Sequence, residues 1–452
     1  MRSPSAAGAV RTPAPDQSAP WPGLRGIGAV LLVGAGAAVA QAFGRFTFGA
    51  ILPAVRDDLG LSNSAAGSLA TINVLAYLIG TLVVATASAR FRLLGVMRCG
   101  FAVSLGGLGL TSIAPGFAVL AVAMFCSGLG GALIWIPSPV VAAGALAPER
   151  RSLAVALLGS GIGLGVVFSG QLTGWVRSTM GDASWRTVYQ IETAIGFVVV
   201  LAVLALIRHR QAPPSGRAGV GGFGALRRMR GWLPLTAAYT AFGFMYLLVI
   251  AFLSTRLEDD SGWSEGQASL AFTFVGLAMV GGGPVFIALA NRIGPRLSLS
   301  VAFALWGSLS ALILGGWLLP TLAASAVMGL IFGGIPGTIT LYVVDNTSAD
   351  DYGPAFSAAT LSFGVAQMAS PQVGGWLADL TGSFTWVFLL STALAALGLL
   401  ASLGLPGRSP VVRPAGSGTV PLWVATTMTF IVQPTDESAD RPRGVPPAQT
   451  GP

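Results

Sequence analysis

Lysine is absent from this sequence of 452 residues, histidine occurs once, cysteine twice, and charged residues make up only 9%. A soluble chain carries about 25% charged residues to stay hydrated, so an ordinary water-facing globular protein is excluded. Cys99 and Cys126 both lie inside apolar stretches, which argues against a disulfide framework or a thiolate metal site and marks both as small core residues. The lone histidine, His209, stands between two arginines, and neither H-E-x-x-H nor a carboxylate cluster interrupts the apolar runs. An intramembrane enzyme is therefore not expected, nor is a metal or any other cofactor. ATP drive is likewise unsupported, because no G-x-x-x-x-G-K-[ST] segment occurs. Gly159, Gly161, Gly163 and Gly165 superficially look like a nucleotide loop, but they lie within an apolar helix, where close helix packing explains them.

Apolar residues are abundant, at 53% with a mean hydropathy of +0.75. They gather into runs at 27–54, 65–88, 93–114, 116–146, 153–176 and 185–207, then at 232–255, 266–290, 297–318, 320–344, 353–378 and 384–405. A spanning helix needs about 20 residues, so the pattern predicts an all-α polytopic membrane protein with twelve transmembrane helices. The expected organisation is a disordered N-terminal arm (1–26), a first six-helix bundle (27–207), a basic linker (208–231), a second bundle (232–405) and a disordered tail (406–452). The apolar run after the arm is too long for a signal-peptide core.

All 25 basic residues are arginine. If the N-terminus is cytoplasmic, twenty of them fall on the cytoplasmic side: the two tails, Arg90, Arg92, Arg98, Arg150, Arg151, the linker, Arg292 and Arg296. Only Arg56, Arg177, Arg186 and Arg256 fall outside, and Arg45 lies within a helix. The positive-inside rule then places both termini and the linker in the cytoplasm. It also accounts for the pI of about 10.4 without a nucleic-acid partner.

A shift of 201 brings the halves into register: Gly128-Leu129 over Gly329-Leu330, Gln171 over Gln372, Gly174-Trp175 over Gly375-Trp376, and Trp185 over Trp386. Near the start of each half, Ala42-Phe43-Gly44 lies over Ala241-Phe242-Gly243. Two copies of a six-span unit enter the membrane from the same side and are related by pseudo-two-fold symmetry about its normal. A cleft between such bundles, opened to each side in turn by rocking, is how a secondary transporter works.

Over residues 27–405 the chain resembles the major facilitator superfamily. Ala290-Asn291-Arg292-Ile293-Gly294-Pro295-Arg296 is similar to the family's A-D-R-x-G-R-R gating loop, with Asn291 in place of the acid, whereas the first-half loop keeps Arg90, Arg92 and Arg98 but loses the pattern. Pro148-Glu149-Arg150-Arg151, Trp185-Arg186 and Gly374-Gly375-Trp376-Leu377-Ala378-Asp379 also resemble family signatures. Phe43-Gly44-Arg45-Phe46 with Leu52-Pro53 looks most like the YbfB/YjiJ-type branch, which implies no known substrate. The antiporter signature of the fifth span is missing its proline, and its nearer match, Ser370-Pro371-Gln372-Val373-Gly374-Gly375, sits in the eleventh.

Arg45, with Gln41 one turn earlier on the same face, is an anion-binding or gating candidate, because an intramembrane charge demands hydration or a partner. Glu192 shares its depth, so the two can pair; it is a coupling candidate, with a structural or lipid-edge role as the alternative. Asn73, Tyr77, Trp135, Tyr239, Tyr246, Thr338, Tyr342 and Gln367 complete the candidate substrate set, and Asn291, Arg292 and Arg296 form the candidate gating loop. Asp345, Asp350 and Asp351 read as a solvated loop. The expectation is a monomeric multi-pass transporter of the bacterial inner membrane. It moves a small, partly apolar, uncharged or anionic organic solute by alternating access, with protons as candidate coupling ion. An exporter of toxic amphiphiles, or a non-transporting sensor or scaffold of the same fold, is the alternative.

Overall fold

The computed structural model describes residues 26–87, 90–147, 150–207 and 222–407. The N-terminal arm before residue 26, Pro148, Glu149, the linker arginines Arg208, Arg210 and Arg217 with His209, and the tail beyond 407 lie outside the described residues, as does the Asp350 side chain.

The described residues are helical, with no strand among them. Among the described residues, eleven helices are long and apolar enough to cross a membrane: Ile27–Leu59 (α1), Asn63–Ala87 (α2), Leu93–Thr111 (α3), Phe117–Ala143 (α4), Leu153–Met180 (α5), Asp182–Leu206 (α6), Trp232–Asp260 (α7), Glu265–Ile293 (α8), Pro295–Ile313 (α9), Leu318–Asn346 (α10) and Thr385–Leu403 (α12). The 33-residue helix Ala349–Thr381 (α11) is long enough but not apolar enough to join them. It carries the polar residues Gln367, Ser370 and Gln372; Ser370 donates to Phe244 O of α7 and Gln372 accepts from Ser68 of α2. Between the bundles, Phe223–Arg228 forms a short helix within the basic linker, and Arg228 pairs with Asp351 at 2.5 Å. Elements end where the sequence says they should: Gly60 adopts a left-handed φ of 61° after α1. Ser264 and Gln267 form a capping box at the start of α8.

Three of the duplicated pairs occupy equivalent places. A Cβ at Gly128 would lie 2.0 Å from the Asn73 carbonyl oxygen, and one at Gly329 would lie 2.1 Å from that of Val275, so each glycine lets a fourth helix of its half press on the second. Gln171 donates to Thr273 at 2.8 Å and Ser68 donates to Gln372 at 2.7 Å, so each glutamine ties its half to the other. Trp175 and Trp376 are both exposed on the outer surface. Of the four glycines on α5, Gly161 packs on Gly34, Gly163 on Gly276 and Gly165 on Ala42, whereas Gly159 faces open space. Cys99 is not a core residue: it is exposed, because it sits on the outward side of α3. Cys126 is half-buried.

The chain crosses back and forth between a linker face, which carries residues 207 and 222–231, and a far face. On the far face the halves are pressed together. A Cβ at Gly67 would lie 2.3 Å from the Pro371 carbonyl oxygen, and one at Gly49 2.4 Å from that of Ile250. Arg177, only 3% exposed, donates from both Nη atoms to Glu258 at 2.7 and 2.8 Å. Arg56 holds Asp259 in the same forked way. Asp379 accepts from the backbone N–H of Asn63 at 2.9 Å and of Ser64 at 2.8 Å, capping the start of α2 across the divide. Arg186 pairs with Asp58 at 2.8 Å and Arg256 with Asp260 at 3.6 Å. The four arginines of the arginine-poor side are thus all paired with acids.

Candidate functional site

A cavity of about 560 Å³ runs from the middle of the bundle to the linker face, between the two halves. Its walls come from the middle of α1, α7 and α11 and from the linker-side halves of α2, α4, α5, α8 and α10. Gln41, Arg45, Tyr77, Trp135, Tyr246 and Gln367, expected from sequence, line it, and Asn291 of the gating loop stands at its mouth. No lining side chain is acidic, and Arg45 is the one cation, among the described residues.

Arg45 is presented by an irregular stretch of α1. Residues Val39–Phe46 form a π-helix, closed by the Thr47 N–H bonding back five residues to Ala42 O. Asn73 holds this stretch, donating from Nδ2 to Gly44 O at 3.0 Å and to Met124 O at 3.1 Å. Such wide turns free backbone groups and re-aim side chains, and they are frequent at functional sites. The Arg45 guanidinium lies 5.4 Å from the centre of the Tyr77 ring. Its Nε and Nη2 are shielded without a hydrogen-bond partner, and the Gln41 side chain lies against the Tyr77 hydroxyl.

The facing wall is aromatic. Tyr246 packs on Phe332 at 4.8 Å and on Phe242 at 5.1 Å, and Phe46 meets Phe332 edge-on at 5.8 Å from the other half. Tyr239 lies behind this layer, stacked on Phe363 at 4.6 Å, rather than on the cavity. Thr338 donates to Gly334 O within α10, Tyr342 donates to Arg230 O in the turn before α7, and Asn73 serves the helix contacts given above, so the polar groups of these three candidates are engaged with backbone rather than with the cavity. Arg292 is exposed, and Arg296 is half-buried with its Nε unpartnered.

Glu192 is fully buried and does not pair with Arg45. Its Oε1 lies 2.7 Å from the hydroxyls of both Thr47 and Ser169, which are 2.8 Å from each other, while Oε2 has no partner. Equal depth was a poor guide because two helix positions separate Arg45 from Thr47, roughly half a turn. Arg45 therefore turns to the cavity while Thr47 turns to α5 and α6. Thr47, Ser169, Phe46 and Phe332 were missed from sequence. Hydroxyls and phenylalanines are common in spans, and only the adjacency of Phe46 to Arg45 gave a signal.

Residues 37–403 match the family described as "Uncharacterised MFS-type transporter YbfB". The chain is 25% identical over 366 residues to the uncharacterized MFS-type transporter YfhI of Bacillus subtilis (strain 168), covering 78% of this chain and 87% of that one. It is 24% identical over 392 residues to the hexuronate transporter of the same organism, covering 81% and 91%. Among solved structures it resembles a bacterial homologue of the human lysosomal transporter Spinster, in an inward-facing and unoccupied conformation. The TM-score is 0.64 at 15% identity, covering 82% of this chain and 96% of that one.

Proposed function

Because the chain belongs to the YbfB-type family of major facilitator superfamily transporters, we propose that it moves a small organic solute across the bacterial inner membrane by alternating access. The observation that carries this reading is the shape of the divide between the halves. A cavity opens on the linker face, while the far face is closed by contacts that each join one half to the other, Arg177 to Glu258 and Arg56 to Asp259. Rocking the halves about the midplane breaks those contacts and leaves each bundle intact. By the arginine count the linker face is cytoplasmic. One chain completes the cavity, so the working unit is a monomer. The name of the hexuronate transporter relative makes organic acids the first solutes to try.

Glu192 is the proton site in this reading. The Thr47 and Ser169 hydroxyls lie against each other and against Glu192 Oε1, and Thr47 Oγ1 also reaches Ala42 O; two hydroxyls supply only two hydrogens for these four contacts, so a proton on the carboxyl supplies a third. A bare carboxylate buried without a cation would be costly. The neighbouring ionisable group on the same helix is Tyr189, and α1 and α5 present only the two hydroxyls. Because Thr47 follows the π-helical stretch directly, movement of Arg45 reaches Glu192 through about half a turn of α1.

The test uses purified protein in proteoliposomes with a pH dye inside and spin labels at positions 61 and 262. Solute is expected to shift the far-face distance distribution and to move protons, and Glu192→Gln should lose the proton movement while solute exchange continues. A single far-face distance under all conditions overturns alternating access. Unchanged proton movement in the variant overturns the role of Glu192.

A further inference from the structure

We infer that the cavity selects organic monoanions, a carboxylate or sulfonate on an apolar body, and holds the acid group at Arg45. This rests on reading the cavity as the solute site. The argument is one of donors without acceptors. Arg45 is half-buried and lines the cavity; its Nε and Nη2 share one edge of the guanidinium and lack partners, both shielded in this arrangement, so a solute engages that edge once the side chain turns toward it. Among the described residues no acid lines the cavity to receive them. An uncompensated arginine in the middle of a membrane protein is costly, and an anionic group with two oxygens matches that guanidinium edge. The Tyr77 ring contributes a π-face to the cation rather than an oxygen that neutralises it.

Charge count sets the valence. One guanidinium balances one negative charge, so a dianion would carry its second charge into a wall without a cation, and an organic cation would meet Arg45 with nothing to offset it. The rest of the wall sets the body of the ligand. Tyr246, Phe332, Met279, Val280 and Ile287 present rings and aliphatic surface, which favours an apolar chain or ring.

The experiment measures binding to the full-length protein in detergent by thermal shift and by calorimetry. The probes are phenylacetate, hexanoate and hexane-1-sulfonate, against phenylacetamide, hexanamide, hexylamine and adipate. A ligand that binds the native state raises its thermal midpoint. The monoanions are expected to bind at least about 10-fold tighter than their amides and than adipate, since charge-assisted hydrogen bonds carry about 1.5–3 kcal/mol. Arg45→Gln should weaken the monoanions by about 10- to 100-fold and leave the amides unchanged, and Arg45→Lys should recover part of the loss. Amides or amine binding as well as the acids to the unaltered protein, or no monoanion binding at millimolar concentration, overturns the proposal without reliance on any variant. Monoanions that bind through Arg45 but never cross proteoliposomes would sink the carrier reading and keep the site. Neutral solutes that are carried would do the reverse.

Discussion

The two halves share a frame and divide the chemistry. In the first half, α1 carries Arg45 and Gln41 into the cavity and α6 buries Glu192. In the register that sets Ala42-Phe43-Gly44 over Ala241-Phe242-Gly243, the place of Arg45 is taken by Phe244, and under the 201 shift that of Glu192 is taken by Ala393. The second half supplies an aromatic wall instead, with Tyr246, Phe242 and Phe332 in mutual contact. At the far face the division is by sign: the first half brings Arg56 and Arg177, and the second brings Glu258 and Asp259. Duplicated residues that hold helices together have kept their job, whereas positions facing the cavity or the closure have diverged. A frame needs the same packing twice, whereas the cavity between the halves has one cation on one side and one aromatic wall on the other.

The sharpest way to break this comparison is to attack the sign division. Arg177→Met leaves the half-buried Glu258 without its cation, which should cost up to about 3 kcal/mol of the far-closed arrangement. It should lower the thermal midpoint and broaden spin-label distances across the far face. Adding Glu258→Gln should recover most of the loss; if it does not, the pair does not join the halves. The next effect tests where the duplication fails. Trp185 is fully buried and donates to Asp58 at 2.9 Å, whereas Trp386 is 55% exposed. Trp185→Ala should therefore cost about 3–5 kcal/mol, and Trp386→Ala should stay within about 0.5 kcal/mol, read as thermal midpoints in one detergent. Equal effects would mean that the register has been misread. The smallest effect tests where the duplication holds. Gly128→Ala and Gly329→Ala should each cost about 1–3 kcal/mol by overpacking, with the two midpoint drops alike. A large difference would show that the halves do not share the same helix contact.

Much of this was legible in the sequence, and the reasons are local. Every span expected from hydropathy is a helix, because bilayer thickness fixes length and apolarity together. The least secure was α11, where Gln367, Ser370 and Gln372 dilute the apolar signal. Each has its own reason: Gln372 accepts from Ser68 across the divide, where Thr71 also donates to Met368 O, Ser370 donates to Phe244 O within its own half, and Gln367 lines the cavity. In the cavity, charge was the readable signal. Arg45 stood out because a membrane tolerates few of its kind. Aromatic residues carried less information, since the same tyrosine chemistry serves the cavity at position 246 and the packing behind it at position 239. Asn73 looked like a binding residue and instead ties α1 to α2 and α4.

By itself the sequence determined the number of spans, the duplication, the side rich in arginine and the presence of one intramembrane cation. Each of these follows from composition, spacing or register along one chain. Only the tertiary structure decided which way each side chain turns. It sent Arg45 to the cavity and Thr47 to Glu192, and matched the four sparse arginines with acids, three of them on other helices. It also closed one face while leaving the other open. Depth in a membrane can be counted in residues, but azimuth depends on where a helix widens into a π-turn and on which neighbour it packs against, and neither is written in any single span.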